Sequence, residues 1–409
     1  MRYYSLLLSI SLIMPSILWA QSELEYRHLS LKEADSLLLS NNKTLMIKEA
    51  EVMEADGGLR QSRAGENPEI SILHNVKNPA SGKYFDFSKE GETDIQLSQR
   101  IFIGGQRRNA VRRSAAMLNA SEAERSWTRR ELRSMLVKGM ATVDGLIRKD
   151  SLYATQIAML QRVVDAHSAS ASNGNISKLE LSKIRAMLYL AESNRHENRA
   201  KLLDEESRLI SLLGTDYAIL PLLPKVEKGE MESLIRELPK IEQRSDIEQY
   251  NHLVEAAKRD VSLQRSNALP EISLTAEWDK NGNIGHNFFG IGATITLPLA
   301  NRNRGNIAMA KARHTQAVIA QQQLIMNADI EISRLQKEVE SLLPLALSSS
   351  IEEHELMLTH AEEQYIRRNI SMQEFSMIFE TFSETVNLFI DNNVNLFIAI
   401  EDLKKAKGL

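Results

Sequence analysis

Four stretches of the chain alternate between polar and apolar residues. Glu271, Ser273, Thr275 and Glu277 interleave with Ile272, Leu274, Ala276 and Trp278, and Gly290, Gly292, Thr294 and Thr296 interleave with Ile291, Ala293, Ile295 and Leu297. Period two places successive side chains on opposite faces, so strands are expected over about 271–278 and 288–297. An earlier pair is expected over about 68–76 and 92–102. There Asp94, Gln96, Ser98 and Arg100 interleave with Ile95, Leu97, Gln99 and Ile101, and Gln99 is the polar exception on the apolar side. Residues 77–91 and 279–289 are rich in Asn, Gly, Asp, Lys, Ser and aromatics and read as exposed hairpin loops. Alternation alone fits a soluble sandwich with inward apolar faces as well as it fits a sheet facing lipid.

Around these strands the pattern is helical. Residues 106–173 contain only Gly139 and Gly145 as breakers, and 175–213 and 345–407 contain none. Helices are expected over 105–213, 245–268 and 302–407. A continuous run over 106–173 would extend about 100 Å, beyond what a compact domain needs. Leu181, Ile184, Leu188 and Ala191 follow a 3-4-3 spacing, which Phe375, Ile378, Phe382, Thr385, Phe389, Asn392 and Leu396 repeat over a longer run. Both predict a heptad seam. In the first, the seam continues through Arg195, Asn198 and Leu202, which suits either helices packed around a wet space or a frayed coiled coil.

The two halves share local motifs in the same order. Asn67-Pro68-Glu69-Ile70-Ser71-Ile72 matches Leu269-Pro270-Glu271-Ile272-Ser273-Leu274, and Asn175-Ile176-Ser177 through Glu180 matches Asn369-Ile370-Ser371 through Glu374. An internal twofold repeat is expected, with copies at 21–213 and 245–409. The joint at 214–244 carries Pro221, Pro224, Pro239 and Gly229, which interrupt regular helix. Four strands cannot close a barrel, which takes about eight. Three chains supplying four strands each would reach twelve, an even number within the outer-membrane range.

The first twenty residues read as a signal peptide: Arg2, an apolar run from Leu6 to Leu18, then Ala20 before a polar stretch. Downstream no window approaches the ~18 apolar residues a spanning helix needs, so a membrane-spanning mature chain must use strands. Only 18 Gly and 9 Pro occur in 409 residues, with 43% apolar, 5% aromatic and 25% charged residues. That composition favours long secondary structure over loops. Lys+Arg 50 against Asp+Glu 54 leaves a net charge of −4, with no overall footprint for nucleic acid.

Cysteine is absent, which excludes disulfides, thiol nucleophiles, cysteine-ligated metals and an acylated cysteine. The nine His show no ligand spacing, His354 and His360 being six apart, and the fifteen Met read as packing. No metal site and no cofactor are expected. Without a phosphate loop, serine elbow or paired-carboxylate motif, an enzyme is not expected either.

In this order, the motifs resemble the outer-membrane factors of tripartite efflux pumps and type I secretion systems, the TolC-like family, over roughly residues 30–407. The resemblance rests on the Pro-Glu-Ile-Ser strand starts at 68 and 270 and on Phe102-Ile103-Gly104-Gly105-Gln106-Arg107. It rests also on Pro298-Leu299-Ala300-Asn301-Arg302-Asn303-Arg304-Gly305-Asn306-Ile307 and on the turn motifs 173–180 and 367–374. The run from Pro298 to Ile307 is most similar to the heavy-metal branch of that family.

The resemblance implies a mainly helical fold with a small β part: a homotrimeric twelve-stranded barrel in the outer membrane, continued by a periplasmic α-barrel that an adaptor opens at its tip. It implies an inner-membrane pump, of the RND type in the family's usual arrangement, and a passive export duct for metal ions or drugs. By position it assigns a pore constriction to Glu374 and Glu180 and adaptor contact to Gly174, Asn175, Ile176, Ser177, Asn369, Ile370 and Ser371. It turns Ile272, Leu274, Trp278, Ile291, Ile295 and Leu297 toward outer-membrane lipid. Arg368 departs from the glycine usual in the family, and Met377 stands where some members carry an acid.

Two basic clusters, Arg107, Arg108, Arg112 and Arg113 and then Arg302, Arg304, Lys311 and Arg313, follow the hairpins, where either lipid phosphates or ordinary helix solvation accounts for them. A periplasmic coiled-coil adaptor or scaffold, or a type I secretion duct, are the alternative functions.

Overall fold

The computed structural model describes residues 25–409 apart from 80, 172–176, 240, 282–284 and 348–350. The chain opens with β1 (Tyr26–Ser30), α1 (Leu31–Asn41) and α2 (Lys43–Arg63), and then forms the hairpin β2 (Glu69–His74) and β3 (Glu92–Ile101). Two long helices follow, α3 (Gln106–Ala171) and α4 (Lys178–Leu213), then β4 (Ala218–Leu222), α5 (Lys228–Arg236) and α6 (Ser245–Ser266). The hairpin β5 (Glu271–Asn281) and β6 (Gly285–Thr296) precedes α7 (Arg304–Leu347), α8 (Ile351–Ile366) and α9 (Met372–Lys407).

The hairpins join into one antiparallel sheet of order β2-β3-β5-β6. β5 and β6 are longer than their alternating pattern indicated and take up most of the segment expected as an exposed loop, residues 279–289. The strand ladder continues past the apolar alternation because Asp279 still pairs with Phe288. In 77–91, the Lys77–Tyr84 bridge and the Asn78 side chain, which donates to Asp86 at 3.2 Å and to the Glu90 carbonyl at 2.9 Å, pin the loop on itself.

α3 runs for 66 residues, about 100 Å at the helical rise. Gly139 and Gly145 do not break it. A Cβ at Gly139 would stand 2.7 Å from Leu209 of α4, and one at Gly145 would overlap Val394 of α9. The two glycines therefore let neighbouring helices approach more closely than any larger residue permits.

Three apolar clusters hold the helices together. One near the α3–α4 turn joins Leu160, Val163, Ile184, Tyr365, Phe375 and Phe382. A second joins α5, α7 and α9 around Leu335, Val339 and Leu403, and a third joins α1, α3 and α4 around Leu38, Met140 and Leu213.

The seam on α9 differs from the expected heptad. Its buried stripe in the first cluster is Phe375, Phe379, Phe382, Val386 and Ile390, whereas Ile378, Thr385, Phe389 and Asn392 are only half-buried. α9 packs against α3, α7 and α8, so its apolar face is wider than a two-stranded seam. On α4 the buried positions are Ile184, Met187 and Ala191, with Leu188 half-buried. The polar continuation is packed against α3: Arg195 pairs with Asp150 at 3.0 Å, and Asn198, 5% exposed, donates to the Leu146 carbonyl at 2.9 Å.

The joint is built of short elements, β4 and α5 among them. β4, which contains Pro221, pairs in parallel with β1, Leu29 lying opposite Pro221. A two-stranded ladder has a free edge that tolerates the missing N–H. Lys407, fully buried, donates to the carbonyls of Leu234 (2.7 Å), Ile235 (3.1 Å) and Glu237 (2.6 Å). It thereby caps the C-terminal end of α5 with a positive charge, the favourable sign at that end. Arg244, also buried, donates to Asp246 at 2.8 Å and to the Ala406 carbonyl at 3.0 Å, and lies 5.4 Å from the Trp127 ring centre.

Candidate channel surfaces and helical tip

The strand register sorts the sheet into two chemically distinct faces. Across the four strands Ile72, Ile95, Trp278 and Phe289 lie in one row, Ile70, Leu97, Ala276 and Ile291 in the next, and Gln99, Leu274 and Ala293 in a third. Ile101, Ile272 and Ile295 complete the face. No second layer covers it among the described residues: Ile70 and Ile72 are each 68% exposed and Ile291 is 94% exposed.

Leu274 and Ile295 are exposed and belong to the same face, Ile272 and Trp278 are half-buried in it, and Leu297 lies one residue past the end of β6, exposed. Gln99 resolves its exception locally, its amide donating to the Glu66 and Arg100 carbonyls at 3.1 Å each.

The opposite face carries Ser71, Gln96 and Glu277 in one row and Glu69, Ser98 and Thr275 in another. The Ser98 and Ser273 hydroxyls lie 2.8 Å apart. Asp94 stands directly opposite Asp279, a like-charge cross-strand pair that is unfavourable in isolation; the exposed Leu73 and Phe288 flank the pair and are the apolar exceptions on this face. Both edges of the sheet, β2 and β6, are without a neighbouring strand among the described residues, leaving rows of backbone donors and acceptors free for pairing.

At the far end of the helices, the turn 367–371 connects α8 to α9. Arg368 there has φ +63°, the left-handed conformation that glycine adopts without steric cost. Ser371 caps α9: its hydroxyl accepts from the Glu374 backbone N–H at 3.2 Å, while its own N–H and hydroxyl donate to Glu374 Oε2 at 2.7 and 2.8 Å. This reciprocal box holds the exposed Glu374 carboxyl below its ordinary range, the backbone and hydroxyl hydrogen bonds from Ser371 favouring the ionised form.

Glu180 has the same spacing from the N-cap Ser177 but a different partner. Its carboxylate accepts from the Tyr365 hydroxyl at 2.9 Å, tying the start of α4 to the end of α8. Burial, followed by the Glu180 hydrogen bond, raises the Tyr365 pKa, so that the hydroxyl remains the proton donor. Tyr365 stacks on Phe375 with ring centres 4.7 Å apart and touches His167 at the same separation. Burial lowers the His167 pKa. Arg162 completes the link between α3 and α8 through two 2.7 Å hydrogen bonds to the buried Glu362.

The residues expected to meet a partner at this end are differently placed. Ser177 caps α4 by accepting from Leu179 N–H at 3.2 Å. Asn369 is exposed but its amide is turned to Gln364 at 2.7 Å, and Ile370 packs half-buried against the first cluster. Gly174, Asn175 and Ile176 lie outside the described residues. Tyr365, Glu362 and Arg162 were not among the expected tip residues. Their only local clue is the pair Glu362 and Tyr365 on one helical face just before the turn, since Arg162 is distant in sequence.

Among the described residues no helix is long and apolar enough to cross a membrane, and no cluster of three or more His, Asp or Glu is suited to a metal.

The chain as a whole is similar to known proteins. The chain is 24% identical to the outer membrane protein OprJ of Pseudomonas aeruginosa, over 92% of this chain and 84% of OprJ. It is 23% identical to the cobalt-zinc-cadmium resistance protein CzcC of Cupriavidus metallidurans, over 84% of this chain and 80% of CzcC. Its fold matches the CmeC outer membrane channel of Campylobacter jejuni with a TM-score of 0.77 at 18% identity, covering 92% of this chain and 85% of CmeC. It matches crystal structures of CusC with a TM-score of 0.76 at 20% identity, covering 92% and 91%. The sequence model named Outer membrane efflux protein aligns with residues 35–215 and 240–334, taking in both strand hairpins and α3, and the chain therefore belongs to the outer membrane efflux protein family and works in efflux at the outer membrane.

Proposed function

We propose that three copies of the chain close a twelve-stranded barrel in the outer membrane and continue it with their helices into the periplasm, as the passive exit duct of a tripartite pump. The observation that carries this reading is the four-stranded sheet, which among the described residues has an uncovered apolar face, a mainly polar opposite face and two free edges. In lipid such a sheet is viable only if its edges are closed by other copies. The paired motifs of the two halves support descent from a duplicated unit, with copies at 21–213 and 245–409 about the joint 214–244.

A periplasmic adaptor meets the tip turns on this reading, and an inner-membrane pump of the RND type supplies the energy. Nothing in this duct role calls for a bond-making or bond-breaking step, so the chain is read as a conduit and not an enzyme. CzcC is a cobalt-zinc-cadmium resistance protein and the related CusC a cation efflux system protein. That likeness favours metal cations as cargo over drugs. The acidic pair Asp94 and Asp279, flanked in its row by Leu73 and Phe288 and repeated threefold around the lumen, fits a cationic cargo on electrostatic grounds.

The reading is tested on the purified mature protein. It should require detergent for extraction, run as a trimer and conduct ions in planar bilayers, and a strain lacking it should gain sensitivity to divalent metals. A water-soluble monomer would favour the scaffold alternative.

Within the duct, Glu374 is assigned to the periplasmic constriction, with Glu180 next to it. Glutamine at the third helical position preserves the reciprocal cap, so Glu374→Gln removes charge while keeping the turn. Cation over anion selectivity in bilayer recordings should fall with the thermal stability unchanged. Unaltered selectivity would take Glu374 out of the constriction.

A further inference from the structure

We infer that the foot of the sheet carries a binding site for the phosphate headgroup of an anionic phospholipid in the periplasmic leaflet of the outer membrane. The site is a concavity of about 550 Å³ lined by Arg63, Phe102, Arg107, Arg108, Val111 and Arg112, within the size range of small-molecule sites. This inference rests on the membrane-spanning reading above and adds a defined ligand to it.

Three observations converge on it. First, the charge in the concavity is unbalanced. Neighbouring arginines are spoken for: Arg60 pairs with Asp56 at 2.6 Å, Arg113 with Asp260 at 3.4 Å and Arg100 approaches Glu271 at 4.0 Å. The four lining arginines have no carboxylate partner among the described residues, and no acidic side chain lines the concavity. Arg107 instead donates to the Arg63 carbonyl at the end of α2, which fixes its guanidinium beside the others. Planar guanidinium groups bind phosphate oxygens through paired N–H donors, which makes a phosphate a better fit than a simple halide.

Second, the position is right for a headgroup. Arg107, Arg108 and Arg112 stand on the first two turns of α3, directly after β3, where the apolar sheet face ends. Ile101 and Ile103, both exposed, continue that face to the rim of the concavity. Phe102 and Val111 provide an apolar floor. A lipid seated here would lay its acyl chains along the lipid-facing sheet and its phosphate among the arginines, which a free anion has no means to exploit.

Third, the two helices that leave the sheet, α3 and α7, have no acidic residue in the first turn, whereas α1, α4 and α9 carry Glu33, Glu180 and Glu374 there. The positive end of α3, which carries Arg107 and Arg108, is therefore not offset by an acidic side chain in its own first turn, and it adds to the arginine field.

The test is native mass spectrometry of the detergent-solubilised protein, incubated with phosphatidylglycerol, with phosphatidylethanolamine or with inorganic phosphate. The wild type should retain phosphatidylglycerol in preference to phosphatidylethanolamine. Arg108→Gln combined with Arg112→Gln should lower that retention roughly tenfold while the protein assembles as before. Val111→Trp, which fills the concavity and leaves every charge in place, should lower it as well and serves if the double variant does not assemble.

Equal retention by wild type and variants would overturn the site. Displacement of phosphatidylglycerol by inorganic phosphate at comparable concentration would overturn the lipid assignment and leave an anion site. Failure of the membrane reading looks different: the wild type would be soluble without detergent, before any lipid is added.

Discussion

Ile291→Arg is expected to remove most of the assembled protein from the outer membrane. Ile291 is 94% exposed, sits near the middle of β6 and lies on the apolar face opposite Ala276. In the proposed barrel that position meets lipid near mid-bilayer, where an arginine costs about 2–4 kcal/mol, and three copies would carry the cost at once. The paired control is Ser273→Arg, on the polar face of the adjacent strand opposite Thr294. It should leave assembly intact and change conductance instead. Detergent-extracted trimer measured for both variants separates the outcomes, and equal yields would show that the apolar face meets something other than lipid.

A second large effect is expected at the tip from Phe375→Ala. Phe375 is completely buried, stacked on Tyr365 at 4.7 Å and tilted against Phe379 at 6.4 Å. Truncating a buried phenylalanine costs about 3–5 kcal/mol, part of it from the cavity left behind. That cavity would open under Tyr365, whose hydroxyl holds Glu180, so the cross-tie between α8 and α4 should loosen along with the core. Thermal unfolding of the solubilised protein should shift downward, and basal conductance in bilayers should rise. Phe375→Leu, closer in volume, should cost less than half as much. A variant that melts like the wild type would mean that the tip is held by the salt bridge of Arg162 and Glu362 and not by the aromatic stack.

Much of the architecture was legible from spacing alone. The two faces of the sheet follow from period two, and the register places Ile272, Leu274 and Trp278 on one side with Ile95 and Ile101, as their alternation requires. What spacing could not disclose depends on distant partners. β1 and β4 are five residues each and pair across most of the first half of the chain, so neither carries a strong local signal, and Pro221 within β4 argues against a strand there. The phase of the α9 stripe was misjudged because that helix packs against α3, α7 and α8, and a heptad template allows for one neighbour.

Gly139 and Gly145 look like breakers in isolation and become contact points only once Leu209 and Val394 are opposite them. At the tip, Ser371 and Glu374 form a reciprocal cap, and their Ser-x-x-Glu spacing is a local signal that the sequence reading did not use. The identical spacing of Ser177 and Glu180 yields no such box, because Tyr365 from another helix competes for the carboxylate. The roles of these two acids beyond their intrachain bonds rest on position by resemblance.

The free margins of β2 and β6 bear on the life of the molecule before it reaches its destination. A newly exported copy carries two unpaired ribbons that will accept any extended backbone, correct or not. In the proposed trimer, maturation is then a race between meeting two siblings and stacking into insoluble aggregates. Its outcome depends on how many copies are present at once, so raising expression should speed correct association only until disordered clumping, which grows more steeply with concentration, overtakes it.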